Sequence, residues 1–135
     1  MTAIFLKYKD KVSLKSSQLQ ELKIKAEEAP LKRARFCMHK SHDDMVQEMI
    51  IVFCKDSKVP IHKHHAKCES FHMIEGIMEV CFYDDNKKIT QTIKLGDYHS
   101  GLPFYFRQET DHWHTVRPLT KYVIVHETTK GPFVP

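Results

Sequence analysis

The sequence predicts an all-β domain, a jelly roll of short strands preceded by one short helix. Three observations lead there. From Ala34 to Thr128 the chain is a succession of short segments rich in Val, Ile, Phe, Tyr and Thr, the residues that suit a pleated, half-buried surface. Turn-forming residues separate those segments. Only one stretch, Ser16 to Glu28, has apolar residues at helical spacing.

The helix comes first. Leu19, Leu22 and Ala26 fall on one face at i, i+3 and i+7, and Ser17 followed by Gln20 reads as a capping box. Ala29-Pro30 ends it, because the residue before proline avoids the helical region. The predicted strands are Ala34–Met38, Val46–Cys54, Val59–His62, Ser70–Glu75, Ile77–Tyr83, Lys88–Leu95, Pro103–Arg107, His112–Val116 and Lys121–Thr128. Asp84-Asp85-Asn86 makes a hairpin turn, Leu95-Gly96-Asp97 ends the following strand, and Arg117-Pro118-Leu119-Thr120 precedes the last. Many short strands at even spacing imply two sheets rolled together. Residues 1–33 are an N-terminal extension whose helix packs on the barrel, and residues 34–135 are the barrel, one domain overall.

Composition narrows the function. The 135 residues carry a formal charge of +4, with Lys and Arg spread along the chain. No dense basic run marks a nucleic-acid partner. The longest apolar run, Met49 to Cys54, is too short for membrane insertion, and the charged N-terminus lacks a signal-peptide core, so the expectation is a cytoplasmic protein. Cys37, Cys54, Cys68 and Cys81 show no paired spacing and read as free thiols. Histidine is the outlier: ten in the chain, most of them between His62 and His114, which points to metal or proton chemistry.

The segment Pro60 to Gly76 concentrates that chemistry. His62 and His64 are two apart, so on a strand they present both imidazoles to one side. The intervening residues allow the chain to reverse and bring Glu69 alongside from the next strand, and Gly76 ends that strand where a residue without Cβ is useful. Two imidazoles and a carboxylate with open positions suit Fe, Mn, Ni, Co, Cu or Zn. His65 falls out of phase and reads as a solvent-facing turn residue; His72 reads either as outer-face or as a residue supporting the ligands from behind; Cys68 reads as a small loop residue. His112, in phase with His114, is a candidate acid/base group, as is Tyr105. Arg35, Gln47, Arg107, Tyr105 and Glu127 are polar residues inside strand-like segments, of which Arg35, Gln47 and Arg107 are candidate substrate contacts.

His62-x-His64-x4-Glu69-x6-Gly76 resembles the first signature of the cupins, and His114, behind Gly96-Asp97, resembles the last histidine of the second. The Pro and Gly positions of that second signature are Glu109 and Asp111, and its trailing Asn position is Pro118. The resemblance implies a cupin jelly-roll barrel (double-stranded β-helix) holding one divalent transition metal through His62, His64, Glu69 and His114. His39 to Met49, Ser70-Phe71-His72, Pro103-Phe104-Tyr105, Trp113 to Val116 and His126 to Phe133 resemble the WbuC-type cupin fold metalloproteins. That likeness implies a bacterial protein acting on or binding a sugar or nucleotide-sugar in surface polysaccharide (O-antigen type) metabolism. Two alternatives stay open: a non-catalytic metal-dependent binding or sensor module, and an Fe(II) dioxygenase-type cupin. A C2 homodimer is the expected assembly.

Overall fold

A computed structural model describes residues 2–63, 67–109 and 112–134. The elements run β1 (Thr2–Phe5), α1 (Ser16–Glu28), β2 (Arg33–Cys37), β3 (Val46–Cys54), β4 (Glu69–Glu75), β5 (Ile77–Tyr83), β6 (Ile89–Gly96), β7 (Tyr105–Gln108), β8 (Trp113–Pro118) and β9 (Tyr122–Lys130). A short 3-10 turn, Tyr98–Ser100, lies between β6 and β7. The strands form a six-stranded sheet, β1-β2-β3-β9-β4-β7, and a three-stranded sheet, β6-β5-β8.

Strand alternation explains how the sheets close on each other. On β3, Met49, Ile51 and Phe53 point to one side and join Phe71, Met73, Val123 and Val125 of the same sheet; Met78, Val80, Phe82, Leu95 and Val116 of the small sheet meet them across the interior. The alternate residues, Val52 and Cys54, point the other way with Ala34, Phe36 and Ile124, and receive Leu22 and Ala26 of α1. The helix therefore covers the outer face of the large sheet, and the interior between the sheets is left for strand side chains alone.

Several expectations are corrected. The helix cap is Lys15, not Ser17: its N–H donates to Gln18 Oε1 at 2.8 Å, and Gln18 N–H donates to Lys15 O at 3.0 Å. β1 was not expected; it pairs in parallel with β2, from Thr2 opposite Ala34 to Phe5 opposite Cys37. Four residues flanked by Lys7, Lys9 and Lys11 carry little periodic signal, and the strand exists because β2 offers it an open edge. β2 itself starts at Arg33, one residue before the expected Ala34. The Val59–His62 strand reduces to a single bridge between His62 and His114.

Gly76 sits at φ 88°, joining β4 to β5, and a Cβ there would stand 2.3 Å from the Tyr122 carbonyl oxygen. The residue is glycine because this turn needs both a left-handed conformation and room against β9.

Candidate metal centre

Of the four expected ligands, His62, His114 and Glu69 line one cavity; His64 lies outside the described residues, as does His65. His62 and His114 are joined backbone to backbone, each N–H donating to the other's carbonyl at 2.9 Å. That bridge brings the imidazoles side by side, with ring centroids 4.3 Å apart. Each ring is fixed by its own chain. His62 Nδ1–H donates to the Pro60 carbonyl at 2.9 Å, and His114 Nδ1–H donates to the His112 carbonyl at 2.8 Å. A carbonyl only accepts, so the proton sits on Nδ1 and the Nε2 lone pair is left for a ligand. Glu69, at the start of β4, faces them: its Oε1 is 3.4 Å from His114 Nε2. Glu69 and His114 are 3% and 1% exposed. Imidazole nitrogens and a buried carboxylate are donor types that a first-row divalent cation takes, but the described residues by themselves gather no group of three or more such side chains placed to hold an ion.

The segment carrying His62 is held in a second way. Thr115 Oγ1–H donates to the Val59 carbonyl at 2.6 Å, anchoring residues 59–62 against β8 where no regular strand forms.

These groups line one part of a cavity of about 310 Å³ between the sheets. The register of the large sheet explains the rest of its wall. Gln47, Thr129 and Glu69 form one inward row, Met49, Glu127 and Phe71 the next, then Arg35, Ile51 and Val125, then Arg33, Phe53 and Val123. The cavity thus runs from carboxylate and imidazoles past an apolar belt to two arginines. Phe133 and Lys67 lie at its edge, Lys67 Nζ donating to the Pro132 carbonyl at 2.7 Å.

Of the expected substrate contacts, Arg35 and Gln47 line this cavity. Gln47 is committed to its own loop, its Nε2 donating to the carbonyls of Asp44 (2.7 Å), Ser41 and His42. Arg107 is directed outward and is paired with Glu109 at 2.8 Å, which raises its guanidinium pKa further. His112 is exposed, its ring edge-on to Phe82, and shares an outer groove with Arg107. The expectation that it lines the cavity beside His114 is corrected: it lies before β8 begins, and what it gives the site is its backbone carbonyl. Tyr105 is 53% exposed on edge strand β7. His72 is outer-face, as read from its phase.

Two cavity residues carry more than the sequence reading assigned them. Glu127, noted there only as a polar strand residue, is half-buried in the cavity wall; burial first and the nearby Glu69 second hold its carboxyl well above the usual carboxylate range, against a smaller opposing effect of Arg35. Arg33 was missed. Its alternation with Arg35 was the available signal, since residues two apart on a strand share a face.

A family model described as a domain of unknown function (DUF6016) matches residues 14–95, from before α1 to the end of β6. No curated protein matches the chain. Among solved structures, the cupin domain of Cnp3 from Schizosaccharomyces pombe superposes with a TM-score of 0.58 at 12% identity, covering 73% of this chain and 64% of that one. An RmlC-like cupin family protein with a double-stranded β-helix fold from Methanocaldococcus jannaschii gives 0.52 at 12% identity, covering 73% and 80%. The capsular polysaccharide assembling protein CapF of Staphylococcus aureus gives 0.55 at 16% identity, covering 75% of this chain and 27% of CapF. This chain therefore spans less than two thirds of the Cnp3 domain chain and about a quarter of CapF. At such identities the likeness shows the fold: a cupin double-stranded β-helix.

Proposed function

Because this chain belongs to the family described as a domain of unknown function, DUF6016, and folds as a cupin, we propose from its own residues that it is a mononuclear metal cupin that binds and acts on a small, sugar-sized molecule. What supports the reading is that His62, His114 and Glu69 line one cavity, with Glu69 Oε1 3.4 Å from His114 Nε2 and each imidazole held through Nδ1 by a carbonyl, which leaves Nε2 for a ligand. His64 completes the set on the strength of the His-x-His motif. When bound, a divalent ion supplies Lewis acidity toward a ligand oxygen. The protein supplies the rest. The apolar belt of Met49, Ile51, Phe53, Phe71 and Val125 excludes water and packs the ligand's carbon skeleton. Glu127, in the cavity wall with its carboxyl held above the usual carboxylate range, is placed to meet a ligand oxygen inside the cavity.

A volume near 310 Å³ lies at the low end for ligand sites and suits a single sugar or small acid. A nucleotide-sugar would leave its nucleotide outside. The polysaccharide assignment is supported by the WbuC-type motifs, and CapF, a capsular polysaccharide assembling protein, shares the fold. A non-catalytic binding module is the second reading, favoured by the outward placement of His112 and Tyr105.

Elemental analysis of protein purified without a metal-affinity column tests the proposal. The expected result is about one equivalent of Fe, Mn, Ni, Co, Cu or Zn in the wild type, lost in His62→Ala and His114→Ala. Iron would shift the chemistry toward oxygenase-type reactions. No metal in the wild type and none taken up on reconstitution would overturn it.

A further inference from the structure

The two arginines facing the cavity are provided for in an unusual way. Arg33 and Arg35 alternate along β2 and stand opposite Phe53 and Ile51, residues of the apolar interior. Both line the same cavity as His62, Glu69 and His114. The Nε atoms of both are buried and have no hydrogen-bond partner. Arg35 makes one side-chain contact of this kind, Nη1–H to Met49 Sδ at 3.4 Å, a weak acceptor. Among the described residues neither guanidinium has a carboxylate within ion-pair distance, whereas the outward Arg107 has Glu109 and Arg117 has Glu79. The pair is also mutually repulsive: Arg33 is held below its ordinary pKa by burial first and by the neighbouring Arg35 second.

Placing two like charges beside an apolar belt with donors unmet is costly unless something meets them. Two guanidinium groups on one face of β2, lining one cavity with buried Nε–H groups unmet, suit a carboxylate or phosphoryl group, which takes bidentate hydrogen bonds from guanidinium. Arg33 also borders an outer groove with Val59, Pro60 and Val116, so the arginines stand where the cavity approaches the surface and an anion can reach them.

We propose that Arg33 and Arg35 form an oxyanion subsite that takes the carboxylate or phosphoryl group of the cavity's ligand, at the end opposite the imidazoles and Glu69. The substrate class is then a small acidic molecule, a sugar acid or sugar phosphate, rather than a neutral sugar. The placement of that ligand's other end rests on the metal reading above; the anion subsite itself does not.

The test separates the two. Calorimetric titration is run on wild-type protein stripped with EDTA and dialysed free of it, with gluconate, glucose 6-phosphate and glucose as probes at constant ionic strength. One or both anionic probes bind at least tenfold more tightly than glucose, and which of them does identifies carboxylate or phosphate as the group recognised. Arg33→Gln and Arg35→Gln each lose at least tenfold of that affinity, and Arg35→Lys loses most of it because an ammonium cannot supply the fork. Both glutamine variants melt at or above the wild-type temperature without ligand, and the anionic probes raise the melting temperature of the wild type alone. Equal affinity for glucose and both anions, or undiminished anion binding in both glutamine variants, overturns the subsite. Failure of the metal reading looks different: no metal by elemental analysis, with the anion preference intact.

Discussion

Thr115 is the residue on which the position of His62 turns. Residues 59–62 do not form a regular strand; they are held to β8 by the reciprocal His62–His114 backbone bonds and by the Thr115 hydroxyl, which donates to the Val59 carbonyl at 2.6 Å. Thr115→Val keeps the shape and the β-branching and removes only that donor. A neutral hydrogen bond contributes about 1 kcal/mol, and a half-buried carbonyl left without its donor costs about 1–2 kcal/mol. For a domain of this size that corresponds to a melting temperature lower by about 3–8 °C. Once Val59 loosens, the Pro60 carbonyl that orients the His62 ring moves with it, so metal affinity falls by roughly tenfold, the lower end for partners behind a metal ligand. The assay is thermal unfolding of metal-free protein, together with competitive metal titration of the loaded form, for Thr115→Val and for Thr115→Ser, which keeps the hydroxyl. Thr115→Ser should retain most of the metal affinity. A Thr115→Val protein that melts and binds metal as the wild type does would refute the anchoring role.

Glu127→Gln should stabilise the metal-free protein. The folded carboxyl keeps its proton above the pH at which the unfolded one, near 4.3, releases it. The wild type therefore loses stability as pH rises from that value through the raised folded one, and the variant does not. Urea midpoints at pH 5 and pH 8 should show a variant advantage larger at pH 8; an advantage independent of pH would contradict the assignment. Leu22→Ala, at a fully buried position between α1 and the large sheet, should cost about 2–5 kcal/mol by urea unfolding while leaving metal stoichiometry unchanged, because the site lies on the other face of that sheet. Gly76→Ala should destabilise by at least about 2 kcal/mol in the same assay, combining a left-handed backbone with a Cβ 2.3 Å from the Tyr122 oxygen.

Much of this was legible in the residue order. The helix boundaries, β3 and β5 follow from periodicity and from the turn residues at their ends, because burial of one face imposes a period of 3.6 or 2 on the chain. The His-x-His-x4-Glu spacing singled out His62 and Glu69, and both line the cavity, although His62 is held there by one bridge to His114 and not by the strand its spacing predicts. β1 escaped because its pairing depends on an edge that β2 presents only after folding. His112 was misplaced because phase was counted from His114 past the point where the strand begins.

What the sequence by itself determined is local: which residues form strands, where the chain turns, and the donor types within reach of one another along a few residues. What only the tertiary structure decided is which polar side chains share an interior. Arg33, Arg35, Glu127 and Glu69 come from β2, β9 and β4, and nothing in their order separates them from Arg107 or Tyr105, which face out. A strand's alternation says that residues two apart share a face; only closure of the second sheet over the first says which face is the inside.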